Sequence, residues 1–237
     1  MKSDIGIRIT DLCYKINARE IISKLSCEIL RGEFIVLLGP NGCGKSTFLN
    51  LLAKNLKPLS GKIEYLYPDF SFFKSLKLVT QNSADSLFMQ MSIYDNYKVI
   101  NHNLYKQHHM SKEHFAEYIN KFNINLSNKL DTPVSLLSGG EKQCLVLALM
   151  TCYDIDALLL DEHTSALDPV AAINIMELTN KLVRELSISC ILTTHDLEIA
   201  QNYGDKILVL GHGGNYRMID KQEKKLLTIE YMKQNFY

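Results

Sequence analysis

At 237 residues the chain is long enough to bury a sizeable core, as one large domain or two small ones, so a disulfide or metal staple is unnecessary. Lysine and arginine number 26 and so do aspartate and glutamate, which leaves no excess of positive charge and excludes nucleic acid as the default partner. Cys13, Cys27, Cys43, Cys144, Cys152 and Cys190 are scattered, with no C-x-x-C pair and no histidine at ligand spacing; together with an opening "MKSDIGIRITDL" that lacks an apolar leader, they read as reduced thiols of a cytosolic protein without a transmembrane helix.

Taken in chain order, "IGIRI", "CEIL" and "FIVLLG" open a series of β-branched and aliphatic runs that continues with "KIEYLY", "LKLVTQ", "ALLLDE", "CILTTH" and "KILVLG". Several are apolar throughout, as strands covered on both faces are. Helical patterns lie between them at Lys45 to Lys54, Gly140 to Thr151, Val170 to Leu186 and Asp196 to Tyr203. The alternation predicts a three-layer α/β core with an antiparallel edge near the N-terminus.

Directly after "EFIVLL" comes "GPNGCGKST", which matches G-x-x-x-x-G-K-[ST] in the strand-to-helix context that a phosphate loop requires. Gly39, Pro40, Asn41, Gly42, Cys43, Gly44, Lys45, Ser46 and Thr47 form the candidate nucleotide site. Backbone amides from Gly42 to Lys45 ring the phosphates, Lys45 neutralises their outer charge, and the Ser46 hydroxyl takes Mg²⁺. Gln81 ends the strand "LKLVTQ", where it can sense Mg²⁺ and the attacking water.

Residues 83–154 contain no convincing strand. "SIYDNYKVINHNL" and "SKEHFAEYINKF" read as amphipathic helices, the second opened by Ser111 with Glu113 close behind. This predicts a helical subdomain inserted between core segments 1–82 and 155–237. "NKLD", at Asn128 to Asp131, fits a guanine-reading pattern, but it follows "FNINLS" inside the insert instead of a buried strand, so adenine is the expected base. At the end of the insert, "LLSGGEKQ" sets two glycines before a helix, which is a second anion site of bare backbone amides and dipole.

"ALLLDEHTSALD" brings a buried strand to its end at an acidic pair. Asp161 can hold Mg²⁺ through water, and Glu162 can orient and deprotonate an attacking water. His195, ending "CILTTH", is placed to contact a terminal phosphate and hold that water in line with Glu162. The tail "DKQEKKLLTIEYMKQNF" reads as a solvated helix.

The phosphate loop, Gln81, "LSGGEKQ", "LLLDE", "SALD" and His195 stand in the order and spacing of ABC-type ATPase domains, which the whole chain resembles. The resemblance implies a P-loop NTPase core of the RecA-like kind, ATP and Mg²⁺ as cofactors, and a head-to-tail dimer of two ATPase subunits. It also gives the second anion site a use: Ser138, Gly139, Gly140 and Glu141 of one copy meet the ATP held by the other, and Asp168 of "SALD" sits at the interface. The family's adenine-stacking aromatic falls by count on Ile16, with Tyr14 two residues earlier. A lost base stack, worth about 1–3 kcal/mol by analogy with single-strand binding, predicts weak base discrimination unless Tyr14 reaches in.

His163 stands where many members have proline. With "DEHTSALDP" and an "LT" segment near the end, it makes the chain most similar to the ATPase subunits of bacterial tryptophan/tyrosine-type importers. The implied partners are an integral membrane permease, received in a groove near Gln81 and the insert at the cytoplasmic face of the membrane, and indirectly an extracytoplasmic binding protein. Nothing in the motifs fixes direction, so an exporter subunit and a single-unit assembly ATPase stand beside the importer reading.

Overall fold

The computed structural model describes residues 4–82, 86–102 and 110–236. In chain order the elements are β1 (Ile5–Ile16), β2 (Arg19–Leu30), β3 (Phe34–Leu38), α1 (Lys45–Leu52), β4 (Ser60–Tyr65), α2 (Phe72–Ser75), β5 (Leu76–Val79), α3 (Ile93–His102), α4 (Lys112–Asn120), α5 (Ile124–Ser127), α6 (Gly139–Thr151), β6 (Ala157–Asp161), α7 (Pro169–Leu186), β7 (Ser189–Thr193), α8 (Leu197–Asn202), β8 (Lys206–Leu210), β9 (Tyr216–Ile219), α9 (Lys221–Lys224) and α10 (Ile229–Phe236). They fall into two compact units. The first holds the described residues up to Leu78, Asp156–Glu162 and those from Asn180 onward; the second holds Val79–Ile155 and His163–Thr179.

The larger sheet has the order β5-β6-β7-β3-β8-β9. β6, β7, β3 and β8 run parallel, and β9 closes the margin antiparallel to β8. Their sequences explain why: "FIVLL" and "SCILT" are buried at every position, the mark of strands covered on both faces. The register sets Leu37 beside Thr193 and Thr193 beside Asp161, so three strands deliver their carboxyl ends side by side. In an open parallel sheet that is the edge where ligands bind.

β2, β1 and β4 form a separate antiparallel sheet of three strands. The antiparallel strands expected near the N-terminus are therefore a sheet of their own, and the antiparallel margin of the large sheet is β9, which no run in the sequence reading marked. Ile7, Leu12 and Leu25 of the small sheet share one hydrophobic core with Phe48, Leu49 and Leu52 of α1 and with Ile35, Leu159 and Ile191 of the large sheet. The helix after the phosphate loop is thus gripped by apolar side chains over most of its length, which fixes the loop from which it starts.

The tail departs from the expected solvated helix. It breaks into α9 and α10 and packs down: Met232 and Phe236 are buried, α10 lies on α8, and Gln201 donates to the Leu227 carbonyl at 3.1 Å. Met232 and Phe236, four residues apart, share one face of α10, an apolar pair among charges that the composition of the segment obscures.

In the second unit Ser111 caps α4, its side chain accepting from the His114 amide, and Tyr94, Tyr97, Phe115 and Tyr118 stack in a chain of rings. Among its described residues the unit has no strand beyond the tip of β5 and a single bridge between Ser92 and Pro133. The subdomain boundary placed at Ser83, and the last two residues of the helix expected over 92–104, lie outside the described residues. His163–Thr179, which the sequence reading gives to the core, belongs with this second unit. Its packing shows why: a Cβ on Gly139 would stand 3.2 Å from Leu167 and one on Gly140 3.6 Å from Ala171.

Candidate functional site

In the first unit, the loop from Gly39 to Gly44 leaves β3 and turns into α1. Gly39 has φ 148°, and a Cβ there would lie 2.1 Å from the Leu210 carbonyl oxygen, so only glycine fits. Gly42, at φ 74°, has nothing within 4 Å of where a Cβ would be, which leaves bare backbone facing open space. Asn41 is exposed, and the Pro40 carbonyl accepts from the Cys43 amide at 3.3 Å. Cys43 itself is buried in the core, and burial holds its thiol above the ordinary range, which makes it a packing residue. Gly44 is the N-cap of α1, no side chain caps that helix, and its first turn carries no acid. A helix start built this way keeps its amides and its positive end for an anion.

Lys45 buries its side chain in the loop. Its Nζ donates to the Gly39 carbonyl at 2.8 Å and lies 3.9 Å from Glu162 Oε1. His195 Nδ1 stands 3.1 Å from the same Oε1. The expected base, the loop lysine and the strand-end histidine therefore meet at one oxygen. Glu162 takes a left-handed φ of 46°, uncommon for a residue with a side chain and costing about 1–3 kcal/mol. Its amide is held there by the Thr193 carbonyl at 3.2 Å and the Thr193 hydroxyl at 2.9 Å.

That hydroxyl also donates to Asp161 Oδ1 at 2.6 Å. Thr193 thus holds both members of the acidic pair, a role sequence reasoning missed although "TT" before His195 was the visible sign. The exposed Ser46 hydroxyl and the Asp161 carboxylate are hard oxygen donors of the kind Mg²⁺ prefers, and Thr193 occupies only one of Asp161's oxygens through the bond described. Thr47 is half-buried in the first turn of α1. Tyr14 packs partly buried against the core cluster, whereas Ile16, at the end of β1, is 48% exposed.

The second unit carries the other constellation. α6 opens with a capping box: Ser138 Oγ accepts from the Glu141 amide at 3.2 Å, and Glu141 Oε2 accepts from the Ser138 amide at 2.9 Å. Lys129 donates to Glu141 Oε1 at 2.7 Å and holds that carboxyl below the ordinary carboxylate range. Glu141, grouped in sequence with the residues that meet ATP, spends one oxygen on this cap and the other on Lys129. Ser138 and Gly139 are exposed and Gly140 half-buried. Lys129 comes from the "NKLD" segment, whose Asp131 pairs with Lys112 at 2.6 Å, so the segment serves as scaffolding for the α6 turn.

Gln81 is exposed and its Nε2 donates to Ser165 Oγ at 3.4 Å. Asp168 Oδ1 accepts from the amides of Val170 and Ala171 at 3.1 and 3.0 Å, so it caps α7. His163 is 3% exposed; its Nε2 lies 3.1 Å from Thr179 Oγ1, its Nδ1 has no partner among the described residues, and burial pushes the imidazole down to about 3. An unpartnered buried acceptor costs about 1–3 kcal/mol.

Comparison with known proteins shows the family. Residues 22–165 match the sequence family described as ABC transporter. The chain is 34% identical over 230 residues to a tyrosine transport ATP-binding protein of Clostridioides difficile (strain R20291), covering 91% of this chain and 90% of that one. It is 27% identical to the arginine transport ATP-binding protein ArtM of Bacillus subtilis (strain 168), over 87% of this chain and 88% of the other. Among solved structures, cbiO1 of Clostridium perfringens, part of the ABC transporter complex cbiONQ, superimposes with a TM-score of 0.80 at 26% identity, covering 98% and 96% of the two chains.

Proposed function

The chain belongs to the ABC transporter family as an ATP-binding, ATP-hydrolysing subunit, and we propose that it powers the import of small solutes, aromatic amino acids foremost. The observation that carries the reading is the convergence of Lys45 Nζ and His195 Nδ1 on Glu162 Oε1, at 3.9 and 3.1 Å, at the carboxyl edge of the sheet. There Glu162 accepts the proton of the attacking water. His195, donating from Nδ1 to that carboxylate, holds it in line with the water beside the terminal phosphate. Lys45, relieved of its loop carbonyls, takes the phosphate charge. Mg²⁺ held by Ser46 and Asp161 would supply further neutralisation of the phosphates.

Two copies act together. Each presents the exposed Ser138, Gly139 and Gly140 of its α6 turn to the nucleotide in the other copy's loop, so ATP binds the closed pair more tightly than the open one and hydrolysis removes that difference. A membrane permease receives the motion, and an extracytoplasmic binding protein delivers the solute to it. Attachment to the cytoplasmic face runs through that permease; among the described residues no helix is long and apolar enough to cross a membrane. The kinship with a tyrosine transport protein and the "DEHTSALDP" stretch support the choice of solute.

Uptake of labelled tyrosine and tryptophan tests the reading, in cells whose only copy is the native chain or Glu162→Gln. Uptake with the native chain and none with the variant is the expected result. Equal uptake in both would remove these amino acids as the cargo.

A further inference from the structure

We propose that His163 is a positioning residue for ATP hydrolysis, acting through a hydrogen bond from its Nε2–H to Thr179 that anchors the chain immediately after Glu162. The proposal rests on the reading of Glu162 as the base. Thr179 Oγ1 donates its proton to the Ile175 carbonyl at 2.7 Å, so toward the imidazole 3.1 Å away it can only accept. The network therefore assigns the proton of His163 to Nε2 and leaves the Nδ1 lone pair buried with no donor. A ring kept buried at that cost is held there by its hydrogen bond to Thr179, since leucine or proline would fill the space without burying an unpaired acceptor.

The place of that bond in the chain gives it a task. The first unit ends at Glu162 and the second resumes at His163; the second ends at Thr179 and the first resumes at Asn180. One hydrogen bond thus ties together the first residue after one crossing and the last residue before the next. A left-handed backbone such as that of Glu162 persists only where its flanks over-determine it. Thr193 fixes the amide on the upstream side, and His163, tied to Thr179, is the adjacent anchor downstream. Release of that anchor lets the carboxylate drift from the attacking water without altering the loop that binds ATP.

The test is steady-state ATP hydrolysis by the full chain with Mg²⁺, corrected for the folded fraction, in His163→Leu, Thr179→Val, their double variant, Thr179→Ser and His163→Gln. The first two are expected each to lower kcat about 10-fold, less than the ~10²-fold that an ångström of misplacement can cost, with KM for ATP changed less than twofold. The double variant is expected to be no slower than either, because both remove one bond. Thr179→Ser keeps the acceptor, and His163→Gln sets an amide N–H near the position of Nε2, so both are expected to recover most of the rate.

A ring that merely fills space would lower the melting temperature and leave kcat per folded chain unchanged. Native kcat in folded His163→Leu and Thr179→Val beside an inactive Glu162→Gln would overturn the proposal alone. Additive losses in the double variant would also overturn it. Activity retained by Glu162→Gln would instead remove the base reading and the proposal with it. If His163→Leu fails to fold, the near-isosteric Thr179→Val gives the same reading.

Discussion

The glycine turns that open α1 and α6 look alike in sequence and are built to opposite ends. Before α1 no side chain caps the helix and no acid sits in its first turn, and a buried lysine folds into the loop. Before α6 a serine and a glutamate cap each other, and Lys129 neutralises the glutamate. The first start keeps its amides and its dipole for a phosphate. The second has satisfied much of its own demand, which suits the role proposed for it, a surface stable alone that meets a phosphate when another copy brings one.

Four substitutions break or sharpen that contrast, and the largest effect belongs to the α1 side. Glu162→Gln removes the proton acceptor and is expected to lower turnover by roughly 10²–10⁴, while equilibrium ATP binding, read by fluorescent-nucleotide titration, stays near native. Unchanged turnover would move the chemistry away from this strand end. Next comes Lys45→Ala. Loss of a charged hydrogen bond worth about 1.5–3 kcal/mol weakens ATP binding by roughly 10- to 100-fold, and a near-native Kd would deny the loop its role.

On the α6 side the effects are on stability. Ser138→Ala removes the cap and is expected to cost about 1 kcal/mol in urea unfolding, with ATP affinity of the isolated chain unaltered. A loss of affinity there would erase the distinction between the two starts. Lys129→Met is the smallest: a half-exposed ion pair contributes ~0.2–1 kcal/mol, screened by salt. Its signature lies in pH. Lys129 lowers the folded-state pKa of Glu141, so the stability this gives is present above the unfolded pKa of about 4.3 and is lost as pH falls through the folded value. In the variant that acid loss is expected to be smaller, so that the stability gap between native chain and variant closes as pH falls, as a series of melts from pH 7 to 3 would reveal.

Much of the α1 side was legible because its chemistry is local. Glycines, lysine and serine sit on consecutive positions between an apolar strand and a helix, and that spacing has a mechanism. The acidic pair and His195 were readable as strand ends, since continuous apolar runs announce where they stop. What joins them was not: Thr193 reaches the Asp161 carboxylate and the Glu162 amide only because β7 runs beside β6 in a register that no single strand's sequence encodes. The same holds for Lys129, a rejected motif that turned out to brace Glu141, and for Thr179, sixteen residues from the imidazole it meets. β9 was missed because a short, half-exposed strand lacks the apolar run that marks the buried ones, and the N-terminal strands, though marked, were placed at an edge of the large sheet instead of in a sheet of their own.

The most direct test of the division of labour between the two turns is sedimentation of Glu162→Gln with and without ATP, beside the same variant carrying Ser138→Arg. The expected result is a monomer without nucleotide, a dimer with ATP, and a monomer under both conditions once Ser138 is replaced. A Glu162→Gln chain that remains monomeric at saturating ATP, or that dimerises equally well with Ser138→Arg, would contradict the claim that the α6 turn of one copy closes on the nucleotide of another.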